Sequence, residues 1–217
     1  SKSLNLKKII HVSTSEVFGN PKYLPIDEKH NYYSQSPYAA SKASADQLAL
    51  SYFNSFNLPI TIIRPFNTFG PRQSLRAIIP SIISQILNGN KDITLGNLKP
   101  TRDFTYIKDT CFGFEKLLNS KKLFGETINI GSDNNISVKQ LAQKIISLMG
   151  SNQKIRTSIS KKRKKTTEVD YLRCNNAYAY SKINWKPTYG FDDGLKETID
   201  WFKKNYNKFY GKDTYKK

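Results

Sequence analysis

Ser36-Pro37-Tyr38-Ala39-Ala40-Ser41-Lys42 reads as the opening of a helix. Ser36 suits the N-cap, and proline suits the first helical position, where its missing N–H removes no bond. Tyr38 and Lys42 then stand four residues apart on one face, about 5–6 Å from each other at Cβ. An ammonium at that range favours a phenolate over a phenol, which otherwise ionises near pH 10. A tyrosine held this way is a base for a substrate hydroxyl at neutral pH. The plainer reading is a packed tyrosine beside a solvated lysine, and the flanking segments decide between the two.

On the N-terminal side, Ile9-Ile10-His11-Val12 reads as a buried strand, and Ser13-Thr14-Ser15-Glu16 as a polar run leaving the sheet. On the C-terminal side the plan repeats. Ile60-Thr61-Ile62-Ile63 is β-branched, and Arg64-Pro65-Phe66-Asn67-Thr68-Phe69-Gly70-Pro71-Arg72 is a loop broken by proline and glycine. Strand, helix and strand with polar exits describe a parallel α/β unit, whose ligands sit at the carboxyl ends of the strands. Thr14, Ser15, Glu16, Tyr38, Lys42, Asn67 and Arg72 are therefore expected around one crevice.

These three segments in this order resemble the extended short-chain dehydrogenase/reductase family, in its NAD-dependent epimerase/dehydratase branch. The nucleotide-sugar 4,6-dehydratases are most similar, through Thr14-Ser15-Glu16-Val17-Phe18-Gly19, the Tyr38/Lys42 helix and the Arg64–Pro71 loop. The resemblance implies an α/β fold: the C-terminal two-thirds of a Rossmann-like parallel sheet flanked by helices, with a smaller α/β substrate-binding subdomain. It places the second half of the NAD-binding domain in residues 1–70. The nucleotide-sugar subdomain then takes most of 71–217, with a return to the sheet near 127–131.

For chemistry, the resemblance implies NAD as cofactor and an N-acetylhexosamine nucleotide as substrate, feeding surface glycans or nonulosonic acids. Tyr38 would deprotonate the sugar 4-hydroxyl, Lys42 would hold the nicotinamide ribose, and Pro65 would line the cofactor site. Glu16 would remove the C5 proton, with Thr14 bonded near the 4-oxygen. Asn67, Arg72 and Arg102 would meet sugar and phosphate. Arg163 would join them through an R-x-x-x-T-E-V pattern with Thr167, Glu168 and Val169. No metal site is expected. A homodimer through the 38–56 helix is a further implication, although a helix docked on its own sheet fits the residues equally well.

Three departures stand out. Ser15 replaces the aspartate that protonates the leaving hydroxyl in many dehydratases, and serine is a poor proton donor. The same T-S-E form accompanies GDP-mannose dehydratases and UDP-glucuronate decarboxylases, so a 4-epimerase or decarboxylase is the rival reaction. Tyr171 stands where relatives carry an arginine, and Asn184 replaces glycine in the L-G-W-x-P pattern met by Ile183-Asn184-Trp185-Lys186-Pro187. The G-x-x-G-x-x-G turn that meets a cofactor pyrophosphate is not found. The chain therefore reads as the C-terminal part of a longer protein, expected to bind NAD poorly and to be inactive alone.

The 217 residues suffice for one sizeable core, and no run approaches the roughly 18 apolar residues of a membrane span. Two cysteines, Cys111 and Cys174, imply no disulfide framework and a reducing cytoplasm. The net charge of +18 raises a nucleic-acid-binding module as the reading from a different class. Only seven of the 35 basic residues are arginines, however, and groove recognition favours arginine. The dense run Lys161–Lys165 is better read as a solvated or diphosphate-facing loop, so nucleic acid is not an expected partner. The remaining elements read as scaffold: helices over 77–88, 110–118 (N-cap Asp109), 137–149 and 195–202, strands at 93–96 and 127–131, and a frayed tail from about Asn205.

Overall fold

The computed structural model describes residues 6–120, 122–162 and 164–209. Strand β1 (Ile9–Val12) leads through a 3₁₀ turn at Ser15–Phe18 and a long loop into helix α1 (Pro37–Phe56). There follow β2 (Ile60–Pro65), β3 (Asn67–Phe69), α2 (Ile78–Leu87), β4 (Asp92–Leu95), β5 (Thr101–Arg102) and β6 (Phe104–Tyr106). The chain continues through α3 (Ile107–Asn119), β7 (Thr127–Ile130), β8 (Ile136–Ser137) and α4 (Val138–Leu148). It closes with β9 (Lys154–Thr157), α5 (Ala177–Ile183) and α6 (Phe191–Phe209).

The central sheet has the order β1-β2-β7, all parallel, with Ile10 opposite Thr61 and Ile63 opposite Ile128. Five of the six β2 residues are buried, as a middle strand covered on both faces requires. Smaller parallel pairs, β3 with β6 and β4 with β9, continue the chain beyond the sheet. One apolar cluster packs Ile63, Leu117, Ile128, Ile130, Ala179 and Trp185 on a face of the sheet. A second joins Phe18, Ile26, Phe66, Leu172 and Cys174. The largest surrounds α2, α4 and α6 through Ile82, Ile83, Ile93, Leu141, Ile145, Leu195 and Phe202. Each buried isoleucine, leucine or phenylalanine among them contributes roughly 1.5–3 kcal/mol by leaving water.

Several expectations are corrected. Helix α3 begins at Ile107 with Tyr106 as N-cap, so Asp109 is no cap. Its buried carboxylate instead accepts from Thr188 N and Oγ1, both at 2.8 Å, and from Tyr189 N at 3.1 Å, pinning the segment before α6. The tail does not fray at Asn205: α6 runs to Phe209, because Tyr206 is buried and its hydroxyl accepts from Asn88 Nδ2 at 3.0 Å. The loop 20–36 contributes to the core, since Ile26 is fully buried and bridges to Cys174. Asn184 adopts φ 48°, ψ 45°, the left-handed C-cap of α5, which explains why asparagine serves where a glycine is common.

Candidate active site

Thr14 leaves β1 extended and caps the 3₁₀ turn, its Oγ1 accepting from Glu16 N at 3.3 Å. The turn ends at Gly19, φ 57°, where a Cβ would lie 2.0 Å from the Tyr33 carbonyl oxygen, so a side chain is sterically barred. Ser36 caps α1, its Oγ accepting from Ala39 N at 3.1 Å, with Pro37 the first helical residue. These local interactions bring the two segments together, and of them the Ser36 cap and the Pro37 start are legible in the sequence.

A cleft of about 630 Å³ opens where they meet. Thr14, Ser15 and Glu16 line it from the β1 exit, Ser36 and Tyr38 from the start of α1, and Pro65 and Asn67 from the β2 exit. Thr167 reaches in from the basic segment. Tyr38 is 55% exposed, so it is accessible to a ligand in the cleft. Lys42 does not line the cleft; its Nζ donates to the Val12 carbonyl at 3.0 Å, two residues before Thr14. An ammonium has three donors, so two remain beyond that bond. Asn67 Oδ1 is buried without a hydrogen-bond partner among the described residues. A buried carbonyl left unpaired costs about 1–3 kcal/mol, which a ligand donor at this point would recover.

A second cavity of about 360 Å³ shares Glu16, Asn67 and Thr68 with the first. Its wall carries Arg76, Arg102 and Lys161, against the single further carboxylate Glu168. Glu168 is itself engaged, accepting from Asn97 Nδ2 at 2.7 Å. The joined cavities therefore offer hydroxyls and a carboxylate at one end and cations at the other, a distribution suited to a polyol carrying an anionic group.

Arg72 stands apart from the other expected site residues. It takes φ 67° in the turn after Pro71, is exposed, and lines neither cavity. Arg76, four residues later, lines the second cavity instead. Nothing in the spacing distinguishes the two arginines, because the left-handed residue that decides between them leaves no periodic trace. Gln73, also unmarked in the sequence, stands beside them, its Nε2 donating to the Thr68 carbonyl at 2.8 Å. Arg163 lies outside the described residues.

Asp103 sits under the site, fully buried, with Asn67 N donating to its carbonyl at 3.2 Å. Burial pushes its carboxyl up to about 6, although Ser132 N and Oγ and Cys174 N donate to it. The folded protein thus binds this proton more tightly than the unfolded chain, whose carboxyl ionises near 4. Stability from this source is complete below about pH 4 and is lost as the pH rises through about 6, on the order of 2–3 kcal/mol in all. Urea midpoints measured from pH 4 to 7 are expected to fall across that window, and to flatten in Asp103→Asn. An unchanged slope in the variant would contradict the assignment.

Residues 1–198 match the family model described as GDP-mannose 4,6 dehydratase. The chain is 31% identical over 211 residues to dTDP-D-glucose 4,6-dehydratase of Mus musculus, covering 93% of the chain and 57% of the relative. It is 30% identical over 196 residues to dTDP-glucose 4,6-dehydratase of Streptomyces antibioticus, covering 90% and 57%. Among solved structures, dTDP-glucose 4,6-dehydratase of Bacillus anthracis in complex with NAD superposes with a TM-score of 0.86 at 30% identity, over 94% of the chain and 64% of that structure. UDP-glucuronic acid 4-epimerase of Bacillus cereus, in complex with UDP-glucuronic acid and NAD, gives 0.87 at 31% identity over the same shares. The chain thus spans 57% of the length of these curated relatives.

Proposed function

Because the chain belongs to the family described as GDP-mannose 4,6 dehydratase, we propose that the full-length protein is an NAD-dependent nucleotide-sugar 4,6-dehydratase. The observation that carries this reading is the meeting of Tyr38, Thr14 and Glu16 in one cleft with the unpartnered Asn67 Oδ1. The residues present fit the cofactor. Tyr38 and Pro65 line the cleft, and Lys42 keeps two donors for a ribose. When bound, NAD supplies a reversible two-electron oxidation, taken up at C4 of the sugar and given back at C6.

The chain's own residues handle the protons. Tyr38, on the wall of the cleft, removes the proton of the 4-hydroxyl, and Thr14 hydrogen-bonds at the same oxygen. A carbonyl at C4 acidifies the neighbouring C–H, and Glu16, the carboxylate at the cleft, takes that proton. Ser15 is 3% exposed and is no acid, so the proton for the departing 6-hydroxyl comes back from Glu16. Asn67 positions the sugar, and Arg76, Arg102 and Lys161 neutralise the diphosphate. The substrate class proposed is a UDP- or other N-acetylhexosamine nucleotide, for surface-glycan or nonulosonic acid synthesis.

Ser15 also favours one rival. Inversion at C4 needs proton transfer at the 4-oxygen alone and expels no water, so a 4-epimerase requires no acid at position 15. Incubating the full-length protein with NAD and UDP-N-acetylglucosamine or dTDP-glucose is expected to give a product lighter by one water. A product of unchanged mass identifies the epimerase, and loss of carbon dioxide from UDP-glucuronate the decarboxylase.

Two subsidiary readings complete the proposal. Leu48, Tyr52 and Phe56 stand exposed at four-residue spacing on α1, an apolar stripe fitted to a second copy, which sedimentation equilibrium tests. A cytoplasmic location suits a chain with two cysteines and, among the described residues, no helix long and apolar enough to cross a membrane.

A further inference from the structure

Asp46 belongs to the same stripe of α1 as Tyr38 and Lys42, one turn beyond the lysine, yet it is fully buried. Its Oδ2 accepts from Ser13 Oγ at 2.8 Å, Tyr32 OH at 3.1 Å, and Arg64 Nε and Nη2 at 3.1 and 3.0 Å. Its Oδ1 lies 3.0 Å from His11 Nε2. A carboxylate only accepts, so that nitrogen carries the proton. Arg64 is 3% exposed and packs against the rings of Phe18 and Tyr32, 5.2 and 4.8 Å from their centroids. Burial pushes the Tyr32 hydroxyl up to about 12, so it remains a donor.

These donors come from the segments that carry the cleft. His11 and Ser13 precede Thr14, Arg64 precedes Pro65 and Asn67, and Tyr32 precedes Ser36. Lys42 grips Val12, between His11 and Ser13, so two successive turns of α1 hold the same three residues. Besides Asp46, only Ala39 of this helix is buried, with Ala43 partly buried against the Phe18 cluster, so the helix face on the sheet is made largely of small residues. A small-residue face can slide or rotate on a sheet, whereas several directional bonds to one carboxylate admit a single register.

We propose that Asp46 is a positioning residue, setting the register of α1 against the ends of β1 and β2 so that Tyr38 faces Thr14 and Asn67. Its turnover arm rests on the reaction proposed above, and its exchange arm does not. Removing one charge alone would strand the other in the interior and unfold the chain. The informative variant is Asp46→Asn/Arg64→Gln in the full-length protein, which replaces the ion pair by two amides. Hydrogen exchange is expected to quicken at least tenfold in residues 37–46 and to stay unchanged in α4. kcat is expected to fall about 10²-fold, with KM for the nucleotide sugar within about threefold, as a displacement near 1 Å produces.

Uniformly faster exchange with normal kcat per folded molecule would reduce Asp46 to a structural residue and overturn the proposal. Unchanged exchange in 37–46 overturns it whether or not turnover is seen. Altered exchange in a protein whose parent shows no turnover condemns the reaction instead, and leaves the register assignment supported. If the double variant does not fold, Ser13→Ala decides, since it removes one donor and keeps the ion pair. It is expected to lower kcat about threefold to tenfold with faster exchange confined to 37–46, and parent-like values of both would overturn the assignment.

Discussion

Tyr38→Phe is expected to lower kcat of the full-length enzyme roughly 10³-fold, the middle of the range for a lost general base. KM for the nucleotide sugar should hold within about threefold, because the ring stays and only the proton acceptor goes. The substitution changes little else. At 55% exposure and on the wall of the cleft, Tyr38 is not part of the core, so stability should move by no more than about 0.5 kcal/mol. That separation is what makes the result informative: an urea midpoint equal to the parent's beside a collapsed kcat locates the loss in chemistry. Turnover within threefold of the parent would take the proton-transfer role from Tyr38. Glu16 would then be the first alternative, as the carboxylate that lines both cavities.

The parts of this site that were legible in the sequence are those written in local rules. The Ser36 cap, the Pro37 start and the four-residue spacing of Tyr38 and Lys42 are properties of one helical turn, and the structure keeps them. The runs at 9–12 and 60–63 announced the two parallel strands, although the second extends to Pro65. What was not legible depends on partners distant in the chain. Asp46 looks like any polar residue on a helix until His11, Tyr32 and Arg64 are folded onto it. Asp109 has the sequence of an N-cap, but Thr188 and Tyr189 claim its oxygens from some 80 positions away. Arg72 and Arg76 differ by a single backbone dihedral region. Tertiary competition for a side chain, more than propensity, decided each of these.

The largest stability effect is expected at Trp185. Its side chain is fully buried against Ile63, Leu117, Ile128 and Ile130, the cluster that joins the central sheet to α3 and α5. Its Nε1 donates to the Asp109 carbonyl at 2.9 Å. Gly113 faces the indole so closely that a Cβ there would stand 3.2 Å from Nε1, so the α3 residue nearest the indole nitrogen has no side chain with which to refill the space. Trp185→Ala should therefore cost about 3–5 kcal/mol, the range for a truncated core aromatic whose surroundings cannot collapse. Against a typical total of roughly 5–15 kcal/mol, such a loss removes a large share of the folding free energy. Trp185→Phe keeps most of the volume and gives up the indole bond, and should cost about half as much. Urea denaturation of the three proteins under one set of conditions orders them parent, Phe, Ala. A loss below about 1 kcal/mol for the alanine variant would mean that the cluster does not hold the sheet to α3. The asparagine at 184 would then shape a turn that anchors nothing.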